Sequence, residues 1–162
     1  MSAIDSIVSA NASYAEQFAG SPERPPKRRL TIITCMDARL DLFGALGLAI
    51  GDAHILRNAG GVVTPDVLRS LAISQRALGT REVALLHHTD CGMLNFDDHA
   101  FGAELATETG VRPDWNAPGW TDVRADIRAA LEAVRTCPWL PHRGEVRGFV
   151  YDVATGSIDE VD

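Results

Sequence analysis

Leu30-Thr31-Ile32-Ile33-Thr34 runs straight into Cys35-Met36-Asp37-Ala38-Arg39, and few folds can use a stretch of that kind. A short, β-branched, apolar run reads as a buried strand. Chemistry placed just past its end, here a thiol, a carboxylate and a guanidinium, sits where open α/β sheets carry their ligands. The chain then repeats the device. Val83-Ala84-Leu85-Leu86 leads into His87-His88-Thr89-Asp90-Cys91-Gly92. Packing alone does not account for two strands that both end in soft metal ligands.

Around these ends the chain alternates strands with helices. Residues 2–19 read as a helix, with Ser2 and Asp5 at its start and Gly20 as its stop. Its apolar residues need a surface to dock on, in this chain or in a partner. Residues 21–29, with three prolines, read as a linker. The first strand spans 30–34, and a short helix weakened by Gly44 and Gly47 spans 40–49. The second strand covers 53–57 and ends in Asn58-Ala59-Gly60-Gly61, a loop where backbone can approach a ligand closely. Thr64-Pro65 starts a helix that Gly79 ends. The third strand is 83–88. A helix follows over 97–109, then a loop containing tryptophan and proline, then an amphipathic helix over 121–136. A fourth strand runs over 145–153, with a short terminal segment beyond it. Alternation of this kind implies parallel pairing through right-handed crossovers. The expected fold is α/β: an open, mainly parallel central sheet of about four strands flanked by helices, with a docking N-terminal helix. Residues 1–162 read as a single domain.

Composition narrows the functional classes. A chain of 162 residues can bury about 70% of its unfolded surface, so it needs neither a disulfide nor a metal merely to fold. The net charge of -7 argues against a nucleic-acid partner. The basic stretch from Arg24 to Arg29 is short and broken by prolines. No apolar run has the length of a membrane helix, and the start lacks the pattern of a secretory signal. Three cysteines do not make a disulfide framework, and a soluble, cytoplasmic protein is expected. There is no phosphate-binding glycine loop, so nucleotide binding has no support.

His88 and Cys91 stand at a spacing that lets one turn present both to a single ion, and Cys35 from a neighbouring strand end would make three ligands. Two thiolates and an imidazole select zinc over magnesium or calcium. Asp37, Asp90 and Cys137 are the candidates for a fourth position; Cys137 reads better as a buried thiol. Three ligands plus water make a catalytic site, whereas four protein ligands make a structural one. Arg39 beside Asp37 would hold that carboxylate ionised and oriented. His87 competes with His88, since neighbours on a strand point to opposite faces, and spacing does not choose between them.

In order and separation, Cys35-x-Asp37-x-Arg39, Gly51-Asp52 through Arg57-Asn58, and His88-x-x-Cys91-Gly92 resemble the β-class carbonic anhydrases. The resemblance covers roughly residues 30 to 92 and rests on all three motifs together. It implies zinc, one ion per chain, held by Cys35, His88 and Cys91, which decides for His88 over His87. It implies a catalytic dyad in which Asp37 accepts a hydrogen bond from the zinc-bound water and Arg39 fixes Asp37. It also implies a substrate pocket at Gly60, Gly61 and Val62, and reversible hydration of carbon dioxide to bicarbonate and a proton. Three-histidine sites of the carbonic anhydrase type bring bound water to a pKa of about 7; two thiolates cancel more of the ion's charge, so a higher value is expected here.

Some relatives let the aspartate close the metal site, and motif reading does not choose between the two forms. Ala49 stands where many members carry a glutamine that helps bind substrate. That departure keeps open a hydrolase of carbon disulfide or carbonyl sulfide on the same fold. A zinc-binding regulatory protein without turnover is a further alternative, disfavoured by the intact Asp37 and Arg39. The N-terminal helix, which packs on a second subunit in the family, implies a homodimer or higher homo-oligomer.

Overall fold

Five strands form one sheet in the order β2-β1-β3-β4-β5 in the computed structural model, which describes residues 2–162. Met1, where the expected N-terminal segment begins, lies outside the described residues. The strands are β1 (Leu30–Cys35), β2 (Ala53–Asn58), β3 (Glu82–His88), β4 (Val146–Tyr151) and β5 (Ile158–Val161). The first four pair in parallel, and β5 returns antiparallel along β4. The sheet is thus one strand larger than expected. Asp152 turns the chain back, accepting from the backbone N–H groups of Ala154 and Gly156 through its carboxylate and carbonyl respectively.

The helices are α1 (Ala3–Glu16), α2 (Leu42–Leu46), α3 (Pro65–Leu78), α4 (Asp98–Thr109) and α5 (Val123–Thr136). Each begins where a side chain can satisfy an orphan N–H. Thr64 caps α3 with Pro65 in its first turn, and Asp122 accepts from Arg124 and Ala125 at the start of α5. The second helix is shorter than expected because Gly47 takes a left-handed conformation and ends it.

The main core lies between the sheet and helices α3 and α5. Ile33, Leu85 and Val146 meet Leu71, Ile127, Leu131 and Val134 there. Complete burial of each such side chain contributes about 1.5–3 kcal/mol. A second apolar cluster gathers Cys35, Leu40, Leu42, Leu86, Cys91 and Trp120 at the strands' C-terminal edge. Helix α1 stands apart from both: it buries none of its residues.

Between β2 and α3 a 3-10 turn, Ala59–Gly61, is pressed onto the end of β1. A Cβ on Gly61 would lie 2.8 Å from the backbone nitrogen of Cys35, and φ there is +72°. Gly61→Ala is therefore expected to lose about 2–4 kcal/mol, from left-handed strain plus overpacking against immovable backbone. A urea titration measures this loss, and an unchanged midpoint would contradict the packing described.

Candidate metal centre

Strand geometry delivers the side chains. Parallel registry sets Cys35 opposite Asn58 at the end of β1 and β2, while β3 runs two residues past Leu86, its last pairing with β1, to reach His88 beside Tyr151 of β4. The ligand atoms of Cys35, His88 and Cys91 lie within 4.8 Å of one another, and all three residues are buried. The two sulfurs are 4.0 Å apart. His88 Nδ1 pairs with the Thr89 carbonyl at 2.8 Å, which makes Nδ1 the protonated nitrogen. Its Nε2 is left buried without a partner.

A buried lone pair is costly unless a donor or a cation meets it, and here two buried sulfurs stand beside it. Burial pushes the Cys91 thiol up to about 11, and the neighbouring Cys35 adds to the shift. A divalent ion reverses that logic, since a coordinated thiol is deprotonated outright. The donor set therefore fits a borderline-soft metal, with one imidazole tautomer already selected by its backbone partner.

Asp37 and Arg39 stand beside this triangle. Arg39 Nε donates to Asp37 Oδ1 at 3.0 Å, Nη2 to Oδ2 at 2.8 Å, and the Arg39 backbone N–H to Oδ1 at 2.9 Å. These bonds, the side-chain ones foremost, hold the Asp37 carboxyl well below the usual carboxylate range. Asp37, first, and then Asp90 push the Arg39 guanidinium up. Asp37 Oδ2 is 3.8 Å from His88 Nε2, near the ligands yet turned to the arginine.

Two residues serve the site in ways that the motif reading did not assign. From β2, Arg57 donates through Nε to the Cys35 carbonyl at 2.9 Å and through Nη2 to the Asp37 carbonyl at 2.6 Å. It thereby clamps the backbone on either side of Met36. Asp90, weighed above as a ligand, instead accepts from Arg39 Nη1 at 2.7 Å. Arg57 was visible only as a motif letter, because its partners lie across a strand boundary.

The other candidates disperse. His87 is fully buried and pairs through Nε2 with Asp126 of α5 at 2.8 Å, its ring against Trp120. His54 pairs with Ser74 at 2.7 Å. Cys137 lies in the main core. Gly60 and Gly61 are buried, Gly60 against the Trp120 ring and Gly61 against β1, so close packing already requires both glycines. Val62 packs on the cluster that contains Cys35 and Cys91. Ala49 is exposed and donates its N–H to Asp52.

A family model described as carbonic anhydrase matches residues 30–117. The chain is 49% identical to β-carbonic anhydrase 1 of Mycobacterium tuberculosis over 99% of both chains. It is 33% identical to a carbon disulfide hydrolase of an Acidianus species, over 81% of this chain and 76% of that one. Among solved structures, the carbonic anhydrase of Streptococcus mutans superposes with a TM-score of 0.92 at 43% identity, covering 100% of this chain and 99% of the other.

Proposed function

Because the chain belongs to the β-carbonic anhydrase family, we propose that it is a zinc-dependent lyase that interconverts carbon dioxide and bicarbonate. The observation that carries this reading is the convergence of Cys35, His88 and Cys91 with Asp37 held off them by Arg39. A structural zinc site needs no such pair, and a fourth protein ligand is the role that Arg39 denies to Asp37.

In this reading Cys35, His88 and Cys91 hold one ion per chain. When bound, zinc supplies Lewis acidity that turns water into a nucleophile near neutral pH. Asp37 presents an ionised acceptor beside the ligands, so an attacking water is oriented by its hydrogen bond to that carboxylate. Arg39 keeps Asp37 ionised and its oxygens fixed. Arg57 fixes the backbone from which both Cys35 and Asp37 project. Val62 offers an apolar wall suited to a substrate without a dipole, Gly61 brings the loop close to β1, and Gly60 lets it pack on Trp120.

Metal analysis paired with stopped-flow carbon dioxide hydration across pH tests the proposal. About one zinc per chain is expected, with turnover rising as pH rises because the attacking water must lose a proton. Metal-loaded protein without turnover would leave the regulatory reading. The likeness to carbon disulfide hydrolase favours a second substrate class, and the same preparation assayed with carbon disulfide and carbonyl sulfide separates the two.

We also propose a homodimer. Ile4, Ile7 and Val8 of α1 are 72%, 68% and 65% exposed. The sheet carries a hollow of about 260 Å³ lined in part by Leu30, Ile32, Leu46, Leu86 and Phe149. A helix without a surface and an apolar hollow without a cover fit two copies of one chain. Removal of residues 2–17 is expected to give a monomer by analytical ultracentrifugation; an unchanged sedimentation coefficient per assembly would place the interface elsewhere. Three cysteines outside any disulfide suit a reducing compartment, and the cytoplasm is the proposed location. Among the described residues, no helix is long and apolar enough to cross a membrane.

A further inference from the structure

The Arg39 guanidinium is held from two sides. Asp37 takes Nε and Nη2. On the other side, Asp90 accepts from Nη1 through Oδ2 at 2.7 Å and from Nη2 through its backbone carbonyl at 2.8 Å. Asp90 adopts φ +53°, a left-handed conformation rare for residues other than glycine, asparagine and aspartate. Side chain and carbonyl of this one residue thus reach the same guanidinium. Stability does not explain the arrangement, because the Asp90 side chain is 78% exposed and exposed ion pairs contribute little. Its consequence is positional: with Nη1 and Nη2 both engaged, the guanidinium plane cannot turn away from Asp37.

Asp37 is the group that needs holding. Its Oδ2 lies 3.8 Å from the unpartnered Nε2 of His88, and a carboxylate is itself a zinc ligand. Released from Arg39, Asp37 is free to take the position that the attacking water requires. We propose that Asp90 is a positioning residue which, by fixing Arg39, keeps Asp37 a hydrogen-bond acceptor rather than a fourth metal ligand. The inference rests on the zinc-lyase reading above. Because Asp90 lies between His88 and Cys91 in one turn, the brace on the dyad is built into the segment that supplies two of the three donors.

Asp90→Gly tests this cleanly, since glycine favours the positive φ while the carboxylate is lost. Zinc-loaded D90G is expected to keep its full metal content and to lose turnover about tenfold. It should also release zinc to an excess of chelator more slowly than the parent protein, because Asp37 now closes the site. Asp90→Asn keeps an acceptor and tolerates the backbone, so turnover should return to within about threefold of the parent, with parental zinc release. Parental turnover and zinc release in D90G would overturn the inference. Faster zinc release would do so too, since it would make Asp90 only a support for the Cys91 turn. An asparagine variant no better than the glycine one would equally overturn it. The parent protein, measured alongside, isolates the underlying reading: if it holds no zinc or hydrates no carbon dioxide, that reading fails and takes this one with it.

Discussion

Cys35→Ala is expected to leave the purified protein folded, free of zinc and without turnover. Cys35, His88 and Cys91 are the three residues whose donor atoms converge, and removing one leaves two donors, too few for a tetrahedral site with a single open position. The fold should survive. The side chain sits among Leu40, Leu42 and Leu86, and alanine leaves a small apolar gap there. Circular dichroism checks the fold and elemental analysis the metal. Cys137→Ala is the matched control, since that thiol is buried in the main core and its loss should leave zinc content unchanged. Full metal content in Cys35→Ala would move the ligand to another residue.

Asp37→Ala is expected to separate metal binding from chemistry. The three donors remain, so zinc content should stay near that of the parent. Turnover should fall roughly 10²-fold, the scale on which misplacing an attacking group costs rate. Arg39 would keep only its bonds to Asp90, which leaves a positive charge beside the site with nothing to orient. Parent-like turnover in this variant would remove Asp37 from the reaction. Loss of zinc together with activity would instead give Asp37 a place among the ligands.

The elements nearest the centre were the most legible in the chain. An uninterrupted apolar run ending in Cys35 marks β1 because a buried parallel strand has no polar face to show, and the same holds for the run into His88. The alternation of His87 and His88 was readable as two directions. Spacing did not choose between them; the family resemblance chose His88, and in the structure His87 meets Asp126 of α5 instead. Strand β5 was missed for a different reason. Ile158, Asp159 and Glu160 are exposed and only Val161 is buried, so this edge strand lacks the apolar pattern that marks a strand. The partners of Arg57 and the second hold on Arg39 were illegible because both depend on pairs of strands meeting in register. Trp120 belongs with them. It lies in a loop of weak pattern, yet its ring fills the space beside Gly60.

Helix α1 satisfies its own N-terminus: Ser2 accepts from the Asp5 backbone N–H, and Asp5 accepts from that of Ser2. That reciprocal cap guards one end only, and isolated helices shorter than about 12–15 residues are marginal in water. With 14 residues and no buried side chain, α1 owes its persistence to whatever surface it meets. Its amide protons thus serve as a local gauge of assembly. In dilute protein they should exchange with deuterium almost as fast as in an unstructured peptide, and more slowly as protomer concentration rises. The amides of β1 and β3 should stay protected throughout.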